Sequence, residues 1–548
     1  MKRTSLFFVL LLLLGIQQFG WSKIFTSVRN GDWGDPATWG ETMLTPNLET
    51  DTVIISKTIT IGAMGSTWQC QSLTINNGGI LQFTEGGEGT NLTVIDNIII
   101  NTGGILRASD TYTTGGDFYG LTVGKNFTNN GTFIGKVDAD DKTGSRTIFL
   151  TINGTGKSVF SGSAITVFGL NINKTSITDT CVIPFDITIL SSLNLTTGTL
   201  NNNGARMITS NLTKLNTGKI IAIPNYNPNP IITYNSNDTT GAELPTTLHT
   251  LNLGGNLLLT KNVTITKSLP LAANIINTGN NTITIMDTAN VTQAGNGRVI
   301  GNFAKKISTT TTLKTFEIGT ANGYSPVTIA FNNVTTSGTI TASAKETTHP
   351  NVIDNTQTLK RYWTFQNNGT VFNMYDATFQ YLSVDFNTNF SEITSEPTMV
   401  VGKYANNIWS YPTIGIRNVN NANDGGTIQV TGLTSFSDFT IAKNTGAVGL
   451  SVKNLLSSTI PTTTELLDNY PNPFNPTTTI AYNIAEKGLV KLVVFDMLGK
   501  EITTLVNENQ NPGSYIANFD ASKISSGMYF YQLTASGKIA TKKMMVVK

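Results

Sequence analysis

The sequence predicts an all-β protein built from several domains, and three observations carry this prediction. Charged residues make up only 13% of the 548 residues, about half the share of roughly 25% that is usual in globular proteins. Long amphipathic helices need Glu, Lys and Arg, and these residues are therefore too scarce to form many of them. The β-branched residues Thr, Val and Ile, which favour strands, are abundant, and 51 glycines supply turns. Short apolar runs that end in Gly or Asn recur along the first half of the chain.

The N-terminus has the pattern of a Sec signal peptide over residues 1–22. Two basic residues precede Leu6–Leu14, a nearly unbroken apolar run that is shorter than the roughly 20 residues needed to span a bilayer. Gly20 and Ser22 are small residues of the kind that precede a cleavage site, which we place between Ser22 and Lys23. No other run of spanning length is present, so we expect no transmembrane segment in the mature chain.

Residues 23–300 are predicted to form a β-solenoid. The segment Ser72–Leu81 recurs 25 residues later as Asn97–Leu106, and weaker copies follow. Each unit is a short apolar strand, a Gly/Asn corner and a second short strand. Repeats of about 20–50 residues indicate coils that bury their apolar faces against their neighbours, and Asn at the corners can form ladders along the stack. We expect a right-handed parallel β-helix with irregular coils.

The region 136–300 has a second interpretation, because repeat fidelity falls after Gly135. It could be a string of Ig-like sandwiches with Asn-rich loops. Ile75 and Ile100 test the solenoid itself, since they occupy equivalent places in the repeat. Stacked coils put both side chains in one interior column, in contact, whereas sandwiches in series put them in separate cores.

A second domain, predicted as a β-sandwich, occupies residues 301–444. Aromatic residues cluster there and the repeats stop. Alternating runs such as Leu359–Phe365 and Ala377–Leu382 follow turn signals at intervals of about 10–15 residues, as is typical of a sandwich. Apolar density then drops, and residues 445–468 are predicted to be a linker rich in Ser and Thr.

Residues 469–548 are predicted to be a small all-β module. Three prolines fix the backbone of its lead-in: Pro471, Pro473 and Pro476. Six strand-like runs follow: Thr479–Ile484, Leu489–Phe495, Glu501–Val506, Ser514–Phe519, Met528–Thr534 and Ile539–Val547. Gly499 and Gly537 stand late in two tight connections, where a hairpin needs positive φ. Tyr529 and Tyr531 share one face of their strand, as period-two burial requires.

Several motifs of this module agree in order and spacing with a known family. They comprise Pro471, Asn472, Pro473, Gly499, Gly513, Tyr515, Gly527, Tyr529 and Lys548. With them the stretch resembles the type A C-terminal sorting domain of the type IX secretion system of Bacteroidetes and related bacteria. The resemblance implies a seven-stranded Ig-like sandwich that engages the type IX secretion machinery, carries the chain across the outer membrane and is then removed by a sortase-like peptidase. It implies a secreted or outer-membrane surface protein that travels through the periplasm.

The start of the mature chain resembles the N-terminal caps of β-helical surface proteins of the same bacteria. The shared features are Trp33, Trp39, Pro46, the strand Asp51–Ile55 and the strand and turn Leu73–Gly79. This resemblance implies architecture only. Exposed tryptophans could also stack on sugars. A buried cap explains Trp33 and Trp39 more simply, and packing in the core explains Trp68 more simply.

Residue types that usually carry chemistry are scarce. The only histidines, His249 and His349, lie in no motif, and His349 is predicted to lie in an exposed turn. The sequence therefore has few residues from which a Ser-His-Asp triad or a His-rich metal site could be built. The net charge is only +2, which gives little support for nucleic-acid binding. We expect no catalytic residue, no metal and no cofactor.

Two oxygen-rich loops and two cysteines complete the candidates. Residues 138–144 partly resemble a calcium loop, but Lys142 stands where the fifth position needs an oxygen ligand. Residues 420–426 offer a single carboxylate, so both loops are predicted to be solvated turns. Cys70 and Cys181 are predicted to be buried free thiols, although the oxidising periplasm allows a disulfide and spacing alone does not decide whether they pair.

Two functions fit these observations. The first is a non-enzymatic structural or adhesive protein of the cell surface, whose partner is an extracellular glycan or matrix. The alternative is a carbohydrate-binding or polysaccharide-degrading β-helix protein. An enzyme should show a groove along one solenoid face in which carboxylates converge with Lys or Arg. A scaffold should show Thr, Asn and Ser there instead.

Overall fold

The chain is almost entirely β in the computed structural model, which describes residues 22–62, 65–84, 89–108, 118–137, 146–387, 399–418, 425–443, 463–469 and 472–547. The helices in these ranges are three short 3-10 turns: Pro36–Trp39, Asn355–Gln357 and Ser383–Asp385. None of the helices described is long or apolar enough to cross a membrane. The chain divides into two compact units, residues 1–302 and 303–548.

The first unit is a β-solenoid of about 10 turns, in which each coil pairs in parallel with the next. Its first sheet has nine strands: Ile24–Thr26, Thr52–Ile55, Ser72–Ile75, Ile98–Ile100, Phe127–Asn129, Lys157–Gly162, Thr180–Val182, Thr199–Asn201 and Lys219–Ile220. Its second sheet has five strands: Gly31–Asp32, Thr58–Ile61, Ile80–Phe83, Ile105–Arg107 and Thr132–Ile134. The first sheet continues to Lys219–Ile220, whereas the second ends at Thr132–Ile134.

The third sheet runs furthest along the stack. Its strands are Thr67–Cys70, Asn91–Val94, Phe118–Val123, Arg146–Ile152, Ile165–Asn173, Ile187–Thr197, Met207–Lys214, Asn225–Tyr234, Thr247–Leu253, Val263–Ala272 and Asn290–Gln293. The short strand Lys136–Val137 pairs with Arg146–Thr147 in the antiparallel sense. A later face is formed by Asp238–Thr239, Leu257–Leu258, Ile275–Ile285 and Arg298–Ile307.

The interior of the solenoid consists of apolar columns that run from coil to coil. Period-two alternation turns every second side chain inward, and parallel register sets equivalent residues side by side. Ile75 pairs with Ile100, as predicted, and both are fully buried. Phe127 and Phe160 continue the neighbouring column with stacked rings whose centroids are 5.1 Å apart. Each coil therefore buries its apolar residues against the neighbouring coils as well as within the coil itself.

The coils differ in length, which explains the loss of repeat fidelity after residue 135. Hydrogen bonds between equivalent side chains join residues 25 apart at Asn76 and Asn101, but 33 apart at Thr128 and Ser161. Parallel pairing nevertheless continues as far as Asn290–Gln293. The solenoid prediction is thus confirmed, and the tandem-sandwich interpretation of 136–300 is wrong.

Residues 303–443 form two antiparallel sheets. One contains Arg298–Ile307, Gly338–Lys345, Thr358–Asn368, Asp438–Ala442, Val400–Ala405 and Ile408–Ser410. The other contains Leu313–Phe316, Val327–Thr336, Val371–Tyr381, Gly426–Leu433 and Thr413–Asn418. A small hairpin joins Gly319–Thr320 to Gly323–Tyr324. Trp363 of the first sheet meets Phe379 of the second with ring centroids 5.0 Å apart, so aromatic side chains fill the space between the sheets.

The C-terminal module has seven strands in its described part. Three form one sheet, Glu465–Leu466, Thr477–Ile484 and Gly513–Asp520. Four form the other, Glu501–Gln510, Gly488–Phe495, Gly527–Ala535 and Lys538–Val546. All six predicted strands are present. The additional strand, Glu465–Leu466, lies in the segment predicted as linker; Leu466 is 2% exposed and packs in the core of the module, so its burial ties this segment to the fold.

Candidate functional site

The lead-in of the C-terminal module is held against its last strand. Asn472 accepts a hydrogen bond from Met545 N through Oδ1, at 2.8 Å. Phe474 N donates to Met545 O, and Val547 N donates to Phe474 O. The Phe474 ring is 2% exposed. The Asn-Pro pair of the predicted sorting motif therefore joins the two ends of the module.

The tight connection with Gly499 has the predicted conformation. Gly499 has φ +76° and donates its N–H to Asp496 O. Asp496 Oδ1 accepts from Leu498 N and Lys500 N at 2.8 and 2.9 Å. The second predicted turn is similar, with φ +75° at Gly537. Both glycines supply the positive φ that a residue with a Cβ rarely adopts.

Gly527 begins the central aromatic strand with φ +154°. A Cβ at this position would meet no atom within 4 Å, so the backbone angle and not space favours glycine. Gly513 also begins a strand, and two residues later the Tyr515 ring stacks on Tyr482 with centroids 5.7 Å apart. Tyr529, 7% exposed, donates its hydroxyl to Ser525 O at 3.0 Å.

Tyr531 is a structural anchor that the sorting motif did not include. Its side chain is fully buried, and its hydroxyl donates to Leu467 O at 2.9 Å while accepting from Asn469 N at 2.8 Å. Burial raises the pKa of Tyr531 to about 12, against a smaller lowering from Asn469, so this hydroxyl keeps its proton. The alternation of buried residues along the strand, Tyr529, Tyr531 and Leu533, was the signal available in the sequence.

Some predicted site residues lie outside the described residues. They are Pro471, Lys548 and the signal-peptide residues before Ser22. On the other side of the predicted cleavage point, Lys23 O accepts from Thr52 N at 2.8 Å, and Lys23 Nζ lies 2.7 Å from Glu41 Oε1. Lys23 thus already belongs to the first coil, while the cleavage itself stays a prediction.

The tryptophans near the start of the solenoid form a buried cap. Trp33 is fully buried and Trp39 is 4% exposed, with ring centroids 5.4 Å apart in an edge-to-face contact. Trp33 Nε1 donates to Pro46 O and Trp39 Nε1 to Trp33 O. Trp68 is half-buried and donates to Ser66 Oγ. A sugar-stacking platform of Trp33 and Trp39 is therefore wrong.

The histidines and cysteines lie in separate environments. The prediction that His349 lies in an exposed turn is wrong: it is 2% exposed, and its ring centroid lies 4.9 Å from those of Tyr362, Tyr404 and Trp409. Its turn folds back into this aromatic cluster. Cys70 and Cys181 are buried free thiols, as predicted. Burial raises the pKa of Cys181 to about 12.

The oxygen-rich loops of the sequence lie mainly outside the part of the chain that the structure describes. Residues 138–145 and 419–424 lie outside the described residues. In the parts of the chain that the structure does describe, three or more His, Cys, Asp or Glu side chains nowhere gather in a way that could hold a metal ion.

Among the described residues, the later coils of the solenoid line a cavity with several charged side chains, which the sequence analysis did not predict. It has a volume of about 890 Å³, and its charged lining residues are Lys214, Lys219, Asp238 and Glu243. Lys214 Nζ lies 2.7 Å from Asp238 Oδ2 and 3.4 Å from Glu243 Oε1. Lys214 and Asp238 belong to successive coils, so no short motif in the sequence could have brought them together.

The comparisons with known proteins concern the C-terminal module. Residues 468–548 match the family model of the secretion system C-terminal sorting domain. The chain matches no curated protein and no solved structure, so the solenoid carries no family assignment. The match covers the lead-in held by the last strand, the turn at Gly499 and the strand that begins at Gly527. Residues 468–548 are therefore a secretion system C-terminal sorting domain, and this domain supports the assignment of the protein as cargo of the type IX secretion system.

Proposed function

We propose that the mature chain is a non-enzymatic structural or adhesive protein of the cell surface or the extracellular matrix. The Sec signal peptide delivers it to the periplasm, and the sorting domain engages the type IX machinery that takes it across the outer membrane. A sortase-like peptidase then removes the module. An extracellular glycan or matrix is the partner class that fits an exported solenoid with few charges.

Hydrogen bonds between Asn side chains of successive coils, here called the ladders, carry this proposal. Asn101 Nδ2 donates to Asn76 Oδ1 at 3.0 Å, and Asn194 Nδ2 donates to Asn171 Oδ1 at 2.6 Å. Amide and hydroxyl groups thus join coil to coil along the strands. Such uncharged side-chain ladders support a scaffold. They supply no proton donor or acceptor with a pKa suited to catalysis near neutral pH.

The export part is tested in a bacterium that has a type IX system. Removal of residues 469–548 should leave the chain in the periplasm, whereas the full chain reaches the surface or the medium. As a matched control, the full chain with Asn101→Ala should be exported normally, because the ladder lies outside the sorting domain. Surface display of the truncated chain would contradict the assignment.

The adhesive part is tested with the mature protein on a glycan array and on matrix components. Saturable binding without any change in the bound polymer is the expected result. Release of shortened or unsaturated sugars from a polysaccharide would instead identify an enzyme.

The cavity at Lys214 favours the alternative, a carbohydrate-binding or polysaccharide-degrading protein. Its lining brings Lys214, Asp238 and Glu243 together, as an active site on a solenoid would. Against this, Asp238 and Glu243 both contact the same lysine, and Glu243 is only 2% exposed. The Glu243→Gln variant decides this point: loss of a measured polysaccharide cleavage would establish the enzyme.

A further inference from the structure

We propose that Lys214 and Asp238 form an intramolecular amide bond, with Glu243 as the proton carrier. This bond would join two successive coils of the solenoid covalently. The proposal rests on the geometry of the three side chains and on the position of the pair in the stack.

The three groups are in reach of one another and largely withdrawn from water. Lys214 Nζ lies 2.7 Å from Asp238 Oδ2 and 3.4 Å from Glu243 Oε1. The exposed fractions of the side chains of Lys214, Asp238 and Glu243 are 5%, 18% and 2%. The Tyr234 ring lies against the amine, with its centroid 5.5 Å from Nζ. The amine therefore stands next to the carboxyl carbon that it would attack.

The reaction uses the neutral forms of the pair. Transfer of one proton from Lys214 to Asp238 gives a neutral amine beside a neutral carboxylic acid. Neutral amine is the nucleophile, and a protonated carboxyl group has a hydroxyl that can leave as water. Amide formation then removes both charges permanently.

Glu243 is held where a proton carrier is needed. Its Oε1 accepts from Tyr234 OH at 2.9 Å and from Gly241 N at 2.8 Å, which fixes the carboxylate beside the amine. Burial, and then the charge of Glu243, raises the pKa of Tyr234 well above its ordinary value. The Tyr234 hydroxyl thus keeps its proton and remains a hydrogen-bond donor. It positions the Glu243 carboxylate and does not take up the proton that Glu243 carries.

The reaction balances without any further reagent. The Lys214 nitrogen forms a bond to Asp238 Cγ, and Glu243 takes a proton from this nitrogen. Glu243 then returns the proton to the carboxyl hydroxyl as the Cγ–O bond breaks. One C–N bond forms, one C–O bond breaks and one water molecule leaves, with no oxidation or reduction. The adjoining cavity, lined also by Asn237 and Asn256, offers this water an exit.

The position of the pair gives the bond a mechanical role. The first sheet ends at Lys219–Ile220, which pairs with the preceding coil at Thr199–Leu200. In the next coil, Asp238–Thr239 pairs only forward, with Leu257–Leu258. No strand pairing joins Lys219–Ile220 to Asp238–Thr239 within this fully described stretch. Lys214 itself pairs with Tyr234 of the next coil, so the amide would extend from the end of this intact ladder to the face where the backbone pairing is interrupted.

Two other buried lysines serve as internal controls. Lys174 Nζ donates to Ser158 Oγ at 2.8 Å and to Asn153 O at 2.7 Å, groups that cannot form this bond. Lys305 Nζ lies 2.5 Å from Glu317 Oε2, where it has a carboxylate partner but not the arrangement of two carboxylates around one amine. Both should remain free amines.

Peptide mass spectrometry of the full chain, purified and denatured, tests the proposal. Trypsin should fail to cleave after Lys214, and the peptides that contain Lys214 and Asp238 should appear as one linked species, lighter than their sum by one water molecule. Peptides with Lys174 and Lys305 should have their unmodified masses. Recovery of the Lys214 and Asp238 peptides separately would show an ion pair only and would overturn the proposal.

Two variants separate the role of each group. Glu243→Gln keeps a polar side chain of the same shape but cannot carry the proton, and the linked species should be lost. Lys214→Arg preserves the charge of the ion pair but offers no amine, and it should also give separate peptides, with a lower thermal unfolding temperature than the linked wild type. A linked species that persists in Glu243→Gln at the wild-type level would overturn the role of Glu243. A link would also occupy Lys214 and Asp238, and so exclude their use in catalysis.

Discussion

The solenoid and the sorting domain are both all-β, but they build their cores in different ways. In the solenoid, an interior residue such as Ile75 pairs with its counterpart Ile100 in the next coil. In the sorting domain, residues from both sheets meet in one cluster, where Leu466 from the first strand joins Tyr531 from the central strand. The first core is a set of contacts between neighbours, and the second is a single closed unit.

This difference suits the two roles. A stack held by nearest-neighbour contacts can vary the length of its coils, because each interface forms independently. The cargo region can therefore diverge while the coils still stack. The sorting domain has fixed points, such as the positive φ of Gly499 and the bonds from Asn472 to the last strand. These contacts make the sorting domain one closed unit that does not depend on the coils of the solenoid.

The largest expected effect concerns the interior of the solenoid. Ile100→Ala should lower the free energy of unfolding of its coils by about 2–5 kcal/mol, since it loses buried area and leaves a cavity. Ile99→Ala in the same strand is the control: Ile99 is 36% exposed and its loss should cost less than about 0.5 kcal/mol. Hydrogen exchange of the strands around Ile100 measures both. Equal effects would contradict the stacked interior.

The closed core of the sorting domain is probed at Tyr531. Tyr531→Phe removes the acceptor of Asn469 N–H and the donor to Leu467 O, and should cost about 1–3 kcal/mol. Tyr515→Phe is the control, because its hydroxyl donates to the exposed carbonyl of Asn511. Hydrogen exchange across the module should show Tyr531→Phe loosening all seven strands. Loosening confined to the strand of Tyr531 would argue against a single unit.

The backbone at Gly527 gives a third test. Gly527→Val should destabilise the sorting domain by about 1–3 kcal/mol, since φ +154° is unfavourable for a residue with a Cβ. Gly488→Val is the matched control at the start of another strand, where a Cβ would lie no closer than 3.7 Å to its nearest neighbour, Ser536 Oγ. The melting temperature of the domain should fall clearly more for Gly527→Val. Equal values for the two variants would remove the conformational explanation.

The smallest expected effect concerns the ladders. Asn101→Ala removes one hydrogen bond to Asn76, and should cost about 0.5–1.5 kcal/mol in the free energy of unfolding of that coil. Asn290→Ala, at an exposed position near the end of the stack, should cost less. Urea unfolding of the two variants compares them, and a larger loss at Asn290 would count against a structural role of the ladder.

The sequence predicted the parts whose signals are local. Turn glycines such as Gly499, the alternation around Tyr531 and the 25-residue repeat all depend on residues close together in the chain. The stack beyond residue 135 kept its parallel pairing but changed its coil length, for example to 33 residues between Thr128 and Ser161. A search for a sequence repeat of fixed length does not detect such a solenoid, even though each coil still pairs in parallel with the next.

The features that were missed depend on contacts between distant segments. Glu465–Leu466 has little strand pattern of its own and becomes a strand because Leu466 enters the core and pairs with Tyr482. His349 reaches an aromatic cluster formed by Tyr404 and Trp409, more than 50 residues further on. The cavity at Lys214 is also lined by Lys219 and Ile220, where the first sheet ends. None of these contacts can be recognised from a pattern in the residues next to it in the chain.

A double-mutant cycle tests the nearest-neighbour core of the solenoid most directly. Ile75→Ala and Ile100→Ala, singly and together in the mature chain, should depart from additivity by at least about 0.5 kcal/mol, because the two side chains lie in adjacent coils of one column. The distant pair Ile75→Ala and Ile265→Ala, both in the solenoid interior, should add within about 0.5 kcal/mol. Strict additivity of the adjacent pair, measured by hydrogen exchange, would contradict the stacked solenoid.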